Sequence, residues 1–164
     1  MNDEKGQLSG EYMLLVGSLI VVLMISIFMI ANENELNIAM AAAKSGADEG
    51  VASSSSAIYP KETFNEYDDM EGLKHPYSVS IVNVSYNSSG IDENYGKQKI
   101  QFKVYAKASV DYNKKELDSI GDRINYNLRK SVAMSFNTTD STNKLYNPVF
   151  SNNYVFTTAN VVWV

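Results

Sequence analysis

At 164 residues the chain has room for one domain and an appendage. Fourteen Lys and Arg against nineteen Asp and Glu give a net charge of −5, the wrong sign for a nucleic-acid-binding face. The chain has no Cys and a single His, His75. This removes disulfide scaffolds, thiol catalysis and Cys-ligated metals, and leaves almost no room for a His-based metal site or a Ser-His-Asp triad.

The first element announces itself at Ser9, which predicts the N-cap of a long helix. Glu11 then falls in the first turn, where a carboxylate complements the positive helix end. Gly6 just upstream supplies a backbone without side-chain obstruction, suited to an extended, cleavable bond. From Met13 to Ala31 follow nineteen uncharged residues, with only Gly17, Ser18 and Ser26 as small or weakly polar positions. At ~1.5 Å per residue this run covers roughly 28 Å, about one hydrocarbon core. It has no polar stripe of the kind a soluble core helix shows, so membrane residence is expected. Lys5 precedes the run, and Asn32-Glu33-Asn34-Glu35 follow it, with the next base at Lys44. This asymmetry predicts a cytoplasmic N-terminus and an external C-terminal part. An ordinary secretory signal fits poorly: the run is too long, and neither Ala31 nor Ala39-Met40-Ala41 makes a good cleavage site directly behind it.

Residues 5–12 read Lys-Gly-Gln-Leu-Ser-Gly-Glu-Tyr. This segment resembles the class III signal peptide of archaeal type IV pilin-like proteins, those of methanogens in particular. That family's pattern is Gln-x-Ser-x-Glu-Tyr directly before an apolar helix, and Gln7, Ser9, Glu11 and Tyr12 match each fixed position. The resemblance covers about the first 31 residues. It implies a leader (1–6) removed between Gly6 and Gln7 by a membrane prepilin peptidase, with the chain as substrate and not enzyme. It also implies a helix (7–58) whose apolar part (13–31) rests in membrane lipid before assembly and in the filament core afterwards, and an extracellular head (59–164). Expected partners are that peptidase, other pilin subunits and a pilus assembly platform, with no nucleic acid, no metal and no cofactor. Assembly is expected to involve Gln7 and Glu11. An unpaired carboxylate in an apolar bundle costs ~2.5–3.5 kcal/mol or more, and cleavage creates a partner, the new α-amino group of Gln7. A neighbour shifted by about four residues, ~6 Å, brings its amine level with Glu11. A helix start with Glu11 at the membrane interface is the alternative account of the same residues, and cyclisation of Gln7 would remove the amine's charge.

Residues 32–56 contain no Pro and much Ala, so the helix is expected to continue. Ala39, Ala43 and Ala47 form one small row, and Ala42, Gly46 and Gly50 a second, of the kind that lets helix backbones approach closely. Packing between subunits and packing on the chain's own head both fit. Ser53 to Ser56 weaken the helix and Pro60 stops it.

In the head, Tyr77, Val79 and Ile81 alternate with Ser78, Ser80 and Val82, predicting a strand. Asn87 to Gly96 reads as a hairpin loop. Ile100, Phe102, Val104, Ala106, Ala108 and Val110 alternate with polar residues, giving a strand with Lys on its wet face. Leu117, Ile120, Ile124 and Leu128 mark an amphipathic helix over about 114–134, and 147–157 and 160–164 read as two further strands. The expected fold class is α+β: a long N-terminal hydrophobic helix, then a small antiparallel β-sheet head with one packed helix.

Three N-glycosylation acceptor patterns, at Asn83, Asn87 and Asn137, fit an exported glycoprotein, with Asn87 and Asn137 expected in loops and Asn83 in a strand. Asp68, Asp69, Glu71 and His75 match no Ca²⁺ loop spacing and read as a solvated stretch, as do Asp92 and Glu93. The eleven Tyr could make an adhesive surface, although Tyr105 and Tyr154 also suit a plain sheet face. The expected function is that of a prepilin, a structural subunit of an adhesive surface filament, membrane-bound as precursor and extracellular when mature. A minor pilin that primes assembly or caps the tip, and a membrane-anchored binding protein that does not polymerise, are the alternatives.

Overall fold

The computed structural model describes the backbone of residues 3–52 and 78–164, with side chains from residue 10 onward. The expected helix end at Ser53–Pro60, the acidic stretch Asp68–His75 and the strand position Tyr77 lie outside the described residues. The chain forms two compact units, Met1–Asn37 and Ile38–Val164.

The first unit is one helix, the opening part of α1 (Asp3–Ala52). The helix begins six residues before the predicted N-cap, so Ser9 is an interior helical residue and Glu11 lies beyond the first turn. The reason is cooperative: once a helix is nucleated, each added residue gains a hydrogen bond, and nothing upstream of Ser9 breaks the run. Large apolar side chains from Met13 to Ile30 are exposed on every side, as with Leu14 at 77% and Phe28 at 69%. The run is long and apolar enough to cross a membrane. Its two hydroxyls are satisfied within the helix, Ser18 Oγ donating to Leu15 O and Ser26 Oγ to Val22 O, both at 2.8 Å. No polar donor in the run therefore depends on water.

The second unit takes in the last turns of α1 and an α+β domain. Strands β1 (Val79–Asp92) and β2 (Lys97–Ala108) form an antiparallel hairpin. A helix, α2 (Lys114–Ser135), crosses over to β3 (Val149–Phe150), β4 (Tyr154–Thr158) and β5 (Val162–Trp163). The sheet order is β1-β2-β4-β3, with β5 also beside β2. β4 and β5 both run parallel to β2, so the sheet is mixed and not the expected antiparallel one. The chain leaves α2 into β3, which runs opposite to β4, so the β3–β4 reversal is what brings β4 back parallel to β2. Just after β4 Ala159 N donates to Phe102 O (2.8 Å), and just after β5 Val164 N donates to Ala106 O (2.9 Å), extending the ladder to β2.

The predicted hairpin loop is mostly strand. β1 runs on through Asn87 to Asp92, and the turn is confined to residues 93–96. Polar Asn and Ser there are poor strand formers, but the ladder to β2 outweighs propensity. Gly96 (φ 62°) lets the chain reverse, and its N–H donates to Asp92 O at 2.8 Å.

Ile100, Phe102, Val104 and Ala106 point to one side of β2 and are buried, as the alternation predicts. Phe156 stacks on Phe102 at 5.6 Å and on Phe136 at 5.7 Å. α2 supplies Ile120, Ile124, Leu128 and Val132 to the core. Its start is fixed by a reciprocal capping box: Asn113 Oδ1 accepts from Glu116 N (3.0 Å) and Glu116 Oε2 from Asn113 N (2.9 Å).

The small rows of α1 are spent inside this unit. Ala39, Ala42, Ala43 and Ala47 are buried. A Cβ on Gly46 would stand 2.5 Å from Asn127 O and 2.8 Å from Leu128 Cα, and one on Gly50 would stand 2.8 Å from Ile124 Cα. Only hydrogen side chains allow the two helices this approach.

Candidate functional site

Gly6, Gln7 and Ser9 lie on the helical backbone of α1, so the Gly6–Gln7 bond is not extended here. A helical peptide bond hides its carbonyl in the i→i−4 ladder, so a protease acting there would first have to unwind these turns. Glu11 and Tyr12 are exposed, Tyr12 at 70%. Glu11 is the last charge before the uncharged run.

All three glycosylation acceptors are exposed. Asn83 faces Tyr105 across the hairpin and Asn87 faces Gln101, so both stand on edge strand β1; Asn87 is not in a loop. Asn137 does sit in a turn, with φ 53°, directly after the last residue capping α2. Its N–H donates to Met134 O at 3.1 Å, the position and left-handed conformation that commonly end helices.

Asp92 works inside the hairpin. Its Oδ1 accepts from Asn94 N (3.0 Å) and its Oδ2 lies 3.7 Å from Lys99 Nζ. Tyr105 stands on the sheet face, with Lys103 Nζ 5.4 Å from its ring centre. Tyr154 is buried against Phe156 and contributes nothing to an outer surface. Tyr126 is also buried, 5.5 Å from Tyr146 between ring centres; burial, then the nearby Tyr146, holds its hydroxyl pKa above the usual tyrosine value. Among the described residues no three His, Asp or Glu side chains converge as a metal site.

Sequence reasoning missed one concavity. A groove of about 350 Å³ runs between α2 and the C-terminal segment, lined by Leu117, Asp118, Asp122, Asn125, Val161 and Trp163 among others. Asn125 Nδ2 donates to Ala159 O at 2.9 Å, tying the helix to the link between β4 and β5. Its signal was present in the four-residue spacing of Asp118 and Asp122, which puts both carboxylates on one helix face. The other wall comes from a strand some forty residues later, which no local pattern connects.

Compared with protein-family models, curated proteins and solved structures, the chain matches none.

Proposed function

We propose that the chain is a prepilin: the precursor of an archaeal type IV pilus-like filament subunit, processed between Gly6 and Gln7 and assembled through α1. The observation that carries this reading is the pattern Gln7-x-Ser9-x-Glu11-Tyr12 immediately before nineteen uncharged residues. A helix exposed on every side over that run supports it, since such a surface needs lipid or other helices around it. In this reading lipid covers the run first and neighbouring subunits replace it, delivered by an assembly platform after the peptidase has acted. Removal of the leader frees the α-amino group of Gln7 to neutralise Glu11 of the neighbouring helix. The α+β domain is presented outside the cell, where the filament serves adhesion.

The deciding experiment is the intact mass and N-terminal sequence of the protein recovered from membranes and from sheared surface material. A chain beginning at Gln7 with residues 13–31 retained is the expected result, and glycans would show in the same spectrum. A chain beginning at Met1 would reduce the protein to a simple anchor. One beginning after Ala31 or Ala41 would make it an ordinary secreted protein.

A further inference from the structure

β5 carries the only tryptophan in the chain. Trp163 pairs with Ala106 of β2 in parallel register, and Ala106 is buried in the core. Paired residues point the same way, so the pleat turns the indole toward the side of the sheet where α2 packs. There it meets α2 at Gly121: a Cβ on Gly121 would stand 4.0 Å from Trp163 Cζ2 and 3.4 Å from Val161 Cβ. With no side chain at Gly121, a groove of about 350 Å³ stays open between the helix and the C-terminal segment. Leu117, Val161 and Trp163, all half-buried, give it apolar walls.

The polar groups of the groove are of both kinds. Lys114, Asp118 and Asn160 are exposed at its rim, so donors and acceptors stand together there. Asp122, also in the lining, already has an interaction within the chain. Charges of both signs in one lining select neither a cation nor an anion. Asn125, 5% exposed, lies deeper in the same lining. Its Nδ2 donates to Ala159 O, whereas its Oδ1 has no hydrogen-bond partner among the described residues. A buried acceptor without a donor is uncommon in folded proteins, and a hydroxyl entering the groove would supply one.

We propose that this groove binds one neutral sugar residue of a glycan. A pyranose ring has a face of C–H groups and an edge of hydroxyls, and each hydroxyl both donates and accepts. The C–H face suits the indole and the aliphatic walls. The hydroxyl edge suits Lys114, Asp118, Asn160 and the open acceptor of Asn125. The volume of about 350 Å³ lies at the small end of ligand sites, ~300–1,000 Å³, which fits a single ring and not a longer segment. An ion finds opposing charges here, and a wholly apolar ligand would leave the polar rim unpaired. The inference depends neither on cleavage at Gly6 nor on assembly through α1, and it gives the α+β domain a ligand of its own.

The test uses the full chain in a detergent without a sugar headgroup. Trp163, as the only tryptophan, reports on the groove through its own fluorescence. The methyl glycosides of glucose, galactose, mannose and N-acetylglucosamine are titrated in turn. At least one should give a saturable shift with a Kd of about 2 mM, the scale for a ligand of about a dozen non-hydrogen atoms. Ligand-observed NMR then compares variants without relying on the indole. Asp118→Ala, at an exposed position, and Trp163→Leu should each weaken binding about tenfold, with the urea midpoint of Asp118→Ala unchanged. Should Trp163→Leu fail to fold, Asp118→Ala decides alone. No saturable shift with any of the four sugars, or full affinity in Asp118→Ala, would overturn the proposal. Saturation by sodium phosphate or magnesium chloride in place of a sugar would overturn it too and assign the groove to an ion. Protein recovered from its native membranes with Met1 still in place would overturn the filament reading and leave this site untouched.

Discussion

Two stretches of the same helix are held by different physics. Between Met13 and Ile30 the side chains are large, apolar and exposed. Between Ala39 and Gly50 the buried positions are small, and α2 lies against them at backbone distance. In the first stretch size is what matters, because area removed from water drives partition into an apolar phase at ~25 cal/mol per Å². In the second, size is forbidden, because close approach of two backbones is the source of packing energy. A helix can thus carry two unrelated specifications in tandem without any break in its hydrogen bonding.

The contrast can be broken from either end. Gly46→Leu should be the most damaging change: its side chain has nowhere to go but into Asn127 and Leu128. The loss should reach about 3 kcal/mol or more in urea unfolding of the α+β domain, the upper range of overpacking costs. The same enlargement at Gly17, where a Cβ meets nothing within 4 Å, should leave that unfolding curve in place. Leu23→Lys, in the middle of the apolar run, should cost ~2.5–3.5 kcal/mol of membrane insertion, read as protein lost from the membrane fraction. It should not shift the domain's urea midpoint, and a parallel shift would deny the two stretches their independence. A smaller effect, about 1 kcal/mol, is expected for Asn113→Ala, which deletes the cap of α2 on the far side of the seam from α1. The smallest effect concerns pH. Tyr126 is held above the usual tyrosine value, so the folded state keeps its proton longer than the unfolded chain does. Stability from this group is complete below a pH of about 10 and is lost as pH rises through Tyr126's own higher value. Tyr126→Phe should flatten that part of the alkaline unfolding profile relative to wild type.

The elements with strong periodicity are legible in the sequence. The stripe of Ile120, Ile124 and Leu128 places α2 within a residue of its observed ends, and Asn113 and Glu116 fix its start. The alternation of core residues with lysines also marks β2, although the strand begins at Lys97 and ends at Ala108, leaving the expected Val110 outside it and exposed. What escaped was set by partners distant in sequence. The second half of β1 has no apolar alternation, and only the ladder to β2 makes it a strand. The sheet's mixed direction follows from α2 and β3 both lying between β2 and β4, an order whose pairing local patterns do not weigh. The small rows at Ala39–Gly50 were visible, but their partner was not, since a stripe of small residues looks the same against its own domain as against another subunit. Of the candidate site, the pattern around Gln7 was wholly local and needed no fold to be seen. The groove at Asp118 and Trp163 needed the crossover.

The seam between α1 and α2 also has a timetable. Gly46 and Leu128 touch across roughly eighty intervening residues, a separation that makes closure late in folding. During synthesis the Ala–Gly stripe leaves the ribosome well before its mate exists. For that interval the strip of small residues has nothing packed against it from α2. Arrival of α2 ends that interval by covering the strip, so the strip's exposure lasts only as long as the α+β domain is incomplete.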